Sequence, residues 1–209
     1  MSTYLQLCDD VRRECRLTTG PTAVTGQTGQ LERIVNWVKQ AYIEIQARHQ
    51  GQWRWLRVGF TVNTVTDDDT YAYTDCTDVL TSIAIARFRQ WRFTDPMDPP
   101  KIYLTSAGVG TQTWLSYTPW EWFKGIYRIG TQTSGYPAHI AIDPQNNLVL
   151  GPKPNAIYTV TGDFMRAAQV LAADADTPEM PSNFHGIIMY EAMKKWAGSE
   201  AAAEVMLRA

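Results

Sequence analysis

Residues 30–49 read QLERIVNWVKQAYIEIQARH, and the spacing of their apolar side chains decides how the rest of the chain is read. Leu31, Ile34, Val35, Val38, Ala41, Tyr42 and Ile45 recur at steps of three and four, which lays one buried stripe along a helix. Glu32, Arg33, Asn36, Lys39, Gln40 and Glu44 fill most of the remaining positions. Thr28 is placed as the N-cap, and His49, Gln50 and Gly51 as the stop. At 1.5 Å per residue such a helix is about 30 Å long, close to the width of a small domain, so other segments must lie along it. Trp37 sits off the main stripe and predicts a second contact on that flank.

Upstream, residues 3–17 predict a first short helix. Tyr4, Cys8, Val11 and Cys15 recur at i, i+4, i+7 and i+11, with Leu5 and Leu7 widening the stripe. Its wet side runs acid first and base later, from Asp9 and Asp10 to Arg12, Arg13 and Arg16, which suits the helix dipole. Cys8 and Cys15 therefore read as small core residues rather than a redox pair. The Gly/Thr-rich residues 18–29 are a loop between two helices that pack antiparallel.

Downstream the period drops to two. Val58, Phe60 and Val62 alternate with Arg57, Gly59, Thr61 and Asn63, and residues 70–74 alternate through Tyr71 and Tyr73. With Asp67, Asp68 and Asp69 between them, the two runs predict a hairpin with an acidic tip. The triplet lacks the alternate-position ligands and distal Glu of an EF-hand loop, so it reads as a solvated turn. Residues 80–93 fit a strand ending in a basic ladder (Arg87, Arg89, Arg92), or a helix. Thr113–Tyr117 alternates through Trp114 and Ser116. Thr118-Pro119-Trp120-Glu121 opens a short helix to about Tyr127, with Thr118 as N-cap, Pro119 at the first helical position and Glu121 closing a capping box. Residues 137–150 predict a second hairpin, Ile140 and Ile142 against Leu148 and Leu150, and residues 156–165 one more strand.

Residues 170–181 read as an acidic, proline-bounded linker. Ser182 caps a helix over Phe184–Trp196 that is apolar on nearly every side, the signature of a helix at the centre of a bundle. Gly198 and Ser199 break it and recap a last helix over Glu200–Leu207. The expected fold class is α+β: an α-helical bundle formed by the N- and C-terminal helices, with a β-rich insert. The expected division is residues 1–56, 57–168 and 169–209.

The 209 residues suffice for one sizeable core, and 44% hydrophobic against 19% charged residues is the composition of a folded protein. A net charge of −2 carries no bulk basic field for nucleic acid. Eight Trp and ten Tyr point to large cross-strand pairs, to an aromatic contact surface, or to both. Cys8, Cys15 and Cys76, an odd number without a CxxC, predict reduced thiols and synthesis in a cytoplasm. No apolar run reaches the length of a membrane span. There is no Gly-rich phosphate loop, zinc spacing or nucleophile elbow, so no catalytic, cofactor or metal residue is assigned. His49, His139 and His185 stand apart from one another and from the cysteines, and Asp174 and Asp176 lack an apolar pocket that would raise a pKa. Arg54, Arg57, Arg87, Arg89 and Arg92 beside Trp91 fit either phosphate contact or a charge-protected sheet edge.

Several stretches taken in order resemble adaptor, or head-completion, proteins of tailed bacteriophages. They are TYLQLCDDVRRECRL (3–17), GQTGQLERIVNWVKQAYIEIQ (26–46), WRWLR (53–57) and NNLVLGPKPNAIYTVTGDFMRAAQVLAADADTPEMPSNFHGIIMYEAMKKWAGSEAA (146–202). The similarity covers most of the chain, with residues 76–112 contributing least. The resemblance implies a non-enzymatic virion protein of the tail tubular type, made in the host cytoplasm and placed at the head–tail interface. It also implies a homo-oligomeric ring of about twelve copies between the portal protein and a tail or nozzle protein. Genomic DNA would pass through its channel without sequence-specific binding. On this reading Trp53, Trp55, Arg87, Trp91 and Trp120 are candidates for subunit and tail contacts. Glu200, Val205, Met206 and Leu207 would reach the portal, and Asp67, Asp68 and Asp69 would face the channel. The competing expectation is a β-rich carbohydrate- or nucleic-acid-binding module that uses the Trp-rich surface.

Overall fold

In the computed structural model, which describes residues 2–48, 52–93, 95, 97–200 and 207, the chain divides into two units. One joins Met1–Trp55 to Ala168–Ala209, and the other is Leu56–Ala167.

The first unit opens on helix α1 (Tyr4–Glu14). The Thr3 hydroxyl accepts from the Gln6 N–H at 3.3 Å while the Gln6 side chain accepts from the Thr3 N–H at 2.8 Å, a reciprocal cap. Tyr4, Leu7, Cys8 and Val11 are buried, as is Cys15 just beyond, so the expected stripe is the one that packs. Helix α2 (Gly29–Ala47) buries Ile34, Val35, Val38, Ala41, Tyr42, Ile45 and, against its polarity, Gln46. Thr28 stands at its N-cap position without a side-chain cap bond, and the stop expected at His49–Gly51 lies outside the described residues.

Gln46 is buried because it holds another segment. Its Nε2 donates to the Gln169 carbonyl at 2.9 Å, and its Oε1 accepts from the Gln169 N–H at 2.7 Å. The Tyr42 hydroxyl donates to Gln169 Oε1 at 2.8 Å and accepts from the Glu179 N–H at 2.9 Å. Residues 168–181 are thus a strap clamped to α2, with Leu171 and Met180 in the helical core. At the middle of the strap Tyr4 N–H and Leu5 N–H donate to the carbonyls of Asp176 and Asp174 at 2.7 and 3.2 Å, which satisfies free donors of α1's first turn. Asp176 accepts from the N–H groups of Ala173 and Ala172, and these two bonds hold its carboxyl below the usual carboxylate range.

Helix α4 spans His185–Glu200 after a single 3₁₀ turn at Ser182–Phe184. It buries Ile188, Ala192, Met193, Trp196 and Ala197 but leaves Ile187 and Tyr190 exposed. Arg48 pairs with Glu191 at 2.9 Å and Lys195 with Glu44 at 2.6 Å along its flank. It is therefore a one-sided helix and not the central one that its composition predicts. It also runs through Gly198 and Ser199 without the expected break. The last helix expected over Glu200–Leu207 falls largely outside the described residues.

Among the described residues the second unit holds eleven strands in two sheets. The larger contains β1 (Arg57–Asn63), β3 (Thr77–Asp78), β4 (Ile83–Ala84), β5 (Phe88–Arg92), β6 (Lys101–Leu104), β7 (Thr113–Trp114) and β11 (Tyr158–Arg166). Its order is β4-β3-β1-β11-β6-β7, with β5 pairing the far end of β11. The smaller contains β2 (Thr70–Tyr71), β8 (Ser116–Tyr117), β9 (His139–Ile142) and β10 (Leu148–Gly151), in the order β2-β10-β9-β8. The expected β9–β10 hairpin is present with Ile142 opposite Leu148 and Ile140 opposite Leu150. Those residues join Phe60, Ile102, Val160 and Phe164 of the larger sheet in one core, while Ala141 and Val149 on the other face pack against Phe123 of helix α3 (Trp120–Tyr127). Residues 83–84 and 88–92 are strands, which settles the open choice for 80–93.

Three expectations are corrected. The α+β architecture of a terminal helical bundle with a β-rich insert does not describe the molecule. It is mixed, four helices with two sheets of eleven strands among the described residues. One helix, α3, belongs to the sheet unit, and the other three share their core with the irregular strap. Residues 57–74 are not a hairpin either. β1 pairs with β11 across seven residues and with β3, while β2 crosses to the other sheet and pairs with β10. Alternation specifies which face of a strand is buried and is silent about its partner. Finally, Thr118 does not cap α3. Its N–H donates to the Ile140 carbonyl at 2.9 Å, continuing the ladder, and the capping position falls to Pro119.

Two outcomes follow from this packing. A Cβ added at Gly151 would lie 2.5 Å from Tyr127 Cδ2 and 2.8 Å from Phe123 Cε2. Gly151→Ala is therefore expected to cost about 1–3 kcal/mol by overpacking, read as a lower urea midpoint. All three cysteines are unpaired and buried. Burial, helped by neighbouring carboxylates, pushes the thiols of Cys8 and Cys76 up from 9.0 to about 12 and that of Cys15 to about 11. Thiol pKa values raised in this way contribute stability that is fully present below the unfolded value near 9.0 and is lost as pH climbs through the folded values. Iodoacetamide at pH 8 should label no thiol until denaturant is added, and the unfolding midpoint should fall from pH 9 upward.

Candidate interaction surfaces

Trp53 and Trp55, the latter in a 3₁₀ turn over Arg54–Leu56, stack on each other, centroids 4.5 Å apart and planes at 21°. The Trp53 indole N–H donates to the Ile45 carbonyl at 2.8 Å, so the pair is tied to the last turn of α2. With Arg48, Met180, Phe184 and Ile187 the two rings line a cleft of about 190 Å³ in the helical unit. Its walls are apolar and one cation sits at the rim, an arrangement that takes an apolar side chain from a partner better than any reacting group.

In the sheet unit the candidates divide. Trp91 is buried, its indole N–H donating to the Asn146 carbonyl at 2.8 Å amid Phe60, Phe88, Phe93 and Phe164. Arg87 turns both Nε and Nη2 onto the Ala167 carbonyl, at 3.2 and 2.7 Å, which locks the start of β5 to the end of β11. Trp120 is half-buried and stacks on Phe123 of its own helix α3. The structure therefore separates the five aromatic and basic candidates: Trp53 and Trp55 line one cleft, while Trp91, Arg87 and Trp120 serve packing.

The aspartates divide as well. Asp67 and Asp68 are exposed. Asp69 is buried, paired with Arg128 Nη1 at 3.2 Å and accepting from the Thr70 hydroxyl at 2.8 Å, while its carbonyl accepts from the Leu150 N–H. It anchors β2 to β10 and to the end of α3. Of the C-terminal candidates, Leu207 is exposed, Glu200 ends α4, and Val205 and Met206 lie outside the described residues.

The most exposed aromatic ring among the described residues is Trp114, 73% accessible on β7. Sequence reasoning placed it in an alternating run without singling it out. The signal was its face: Leu115 points inward, so Trp114 shares the outer side with Ser116. Beside it lies an open cleft of about 550 Å³ lined by Phe93, Asp95, Pro99, Leu115 and Tyr117. Trp122 and Ile126 are exposed on α3, and Ile129 just beyond it. Among the described residues no three His, Cys, Asp or Glu side chains converge to hold a metal ion, and no helix is long and apolar enough to cross a membrane. His185 is spent on structure, with Nε2 3.0 Å from the Met180 carbonyl and Nδ1 accepting from the Ser2 N–H at 3.3 Å.

Exposed apolar clefts are features by which proteins dock against others. No curated protein matches the chain. A family model described as SU10 adaptor protein matches residues 2–209. The chain belongs to the SU10 adaptor protein family, a family of bacteriophage adaptors.

Proposed function

We propose that the protein is a non-enzymatic, ring-forming head–tail adaptor that joins the capsid portal to the tail and lines the DNA channel. The observation that carries this reading is the family match across residues 2–209. The surfaces agree with it: the recognition features are apolar and aromatic. A ring of about twelve copies needs two different complementary patches on each subunit. The Trp53–Trp55 cleft supplies one apolar contact for a neighbour or for the tail or nozzle protein. The C-terminal residues Glu200–Leu207 reach the portal. A channel carrying DNA must not hold it, and the exposed carboxylates of Asp67 and Asp68 suit such a wall by repelling phosphate. The small net charge fits passage of DNA without sequence-specific binding.

The test is electron microscopy and sedimentation of the full chain mixed with portal rings of its phage. The expected outcome is a ring of density capping the portal, and a chain lacking residues 199–209 that no longer co-sediments. Failure of the full chain to bind the portal, together with a Trp fluorescence shift on adding a glycan or an oligonucleotide, would replace this reading with the binding-module one.

A further inference from the structure

The cleft of the helical unit, about 190 Å³, is lined by Trp53, Trp55, Met180, Phe184 and Ile187, with Arg48 at its rim. Phe184, Ile187 and Tyr190 follow at steps of three from the 3₁₀ turn into α4, and they are 44, 40 and 44% accessible. The cleft therefore continues into an apolar strip about 9 Å long. Its walls are fixed in advance. The Trp53–Trp55 stack hangs from the Ile45 carbonyl, and the His185 ring, 3.0 Å from the Met180 carbonyl, ties the first turn of α4 to the strap. A preformed groove loses little conformational freedom when it is filled. Apolar side chains exposed at steps of three along a helix are met by a second helix whose own apolar residues recur every three or four positions.

The rim decides the charge of that helix. Glu191 lies between Arg48 at 2.9 Å and Lys194 at 3.7 Å; its side chain is 17% accessible, whereas both cations are 49% accessible. Arg54, between the two tryptophans in sequence, is exposed as well. Of the other acids on these elements, Glu44 is paired with Lys195 at 2.6 Å and Glu179 is half-buried next to Met180. Solvent therefore meets an apolar strip bordered by cations, the complement of apolar residues bordered by carboxylates. A nucleic acid strand would answer the cations and leave the apolar walls wet. A basic helix would enter the cleft against the field of its rim.

We infer that this groove receives an acidic amphipathic helix of another virion protein, its apolar residues in the cleft and its carboxylates on Arg48, Arg54 and Lys194. This rests on the adaptor reading above and names the chemistry of the partner that the Trp53–Trp55 cleft takes.

The full-length chain is made as Ile187→Cys in the groove and, as a control elsewhere on the helical unit, as Asn36→Cys, both at exposed positions. The native thiols are buried and stay silent. Each variant is labelled with a thiol-reactive benzophenone, assembled with the portal and tail proteins of its phage, and illuminated. Mass spectrometry should find the Ile187→Cys chain joined to one segment of a portal or tail protein. That segment should carry apolar residues every three or four positions, and Asp and Glu should outnumber its Lys and Arg. Crosslinks to DNA, to a second copy of this chain or to a segment without that acidic excess would overturn the inference, as would the same crosslinks from Asn36→Cys. Arg48→Glu combined with Lys194→Glu should weaken binding of that protein at least about tenfold. Arg54→Glu, which disturbs no ion pair among the described residues, should slow association and flatten its salt dependence. Binding unchanged in either variant would overturn the contact. A chain that joins neither portal nor tail overturns the adaptor reading and this one together, whereas a chain that assembles yet shows none of these effects overturns this contact alone.

Discussion

The antiparallel pairing of β1 with β11 is the constraint on which the rest of the architecture depends. Seven consecutive residues pair, from Arg57 opposite Met165 to Asn63 opposite Thr159, joining segments about a hundred positions apart in sequence. Arg57 reinforces it by pairing with Asp163 across the two strands and with Asp98 at 2.6 Å. Bonding to Asp163 outweighs the desolvation of Arg57 and raises its already high pKa, so this cation holds its charge at any pH the fold survives. Once β1 and β11 are neighbours, the chain enters and leaves the sheet unit on adjacent strands. Residues before Leu56 and after Ala167 then start from one place, and α4 and the strap can complete a core begun by α1 and α2.

Local periodicity was legible and partnership was not. The buried stripes of α1 and α2, the β9–β10 hairpin and the strand at β11 can be read from spacing alone, because each depends on residues within one turn or one hairpin. The β1–β2 hairpin failed since β1's burial alternates in the same way whether its partner is five or a hundred residues away. The strap failed for a related reason. Its acidic and proline-rich composition is that of a linker, yet Asp174 and Asp176 act through backbone and side-chain acceptors that close α1 and the strap itself. Gln46 shows the same limit from the other side: a polar residue continuing an apolar stripe gives no hint that it mimics a peptide group for Gln169.

The candidate surfaces were less legible than the fold, and the reason is burial. Aromatic residues flanked by arginines look alike in sequence whether the ring or the guanidinium faces water. Trp91 and Arg87 found internal partners, Asn146 and Ala167, whereas Trp114 found none of comparable size and stayed out. The discriminating feature was the inward neighbour: Leu115 commits its strand's inner face and leaves Trp114 nowhere but outside. The same logic applies to the acidic triplet, where crossing between sheets draws Asp69 inward to Arg128 and leaves Asp67 and Asp68 in water.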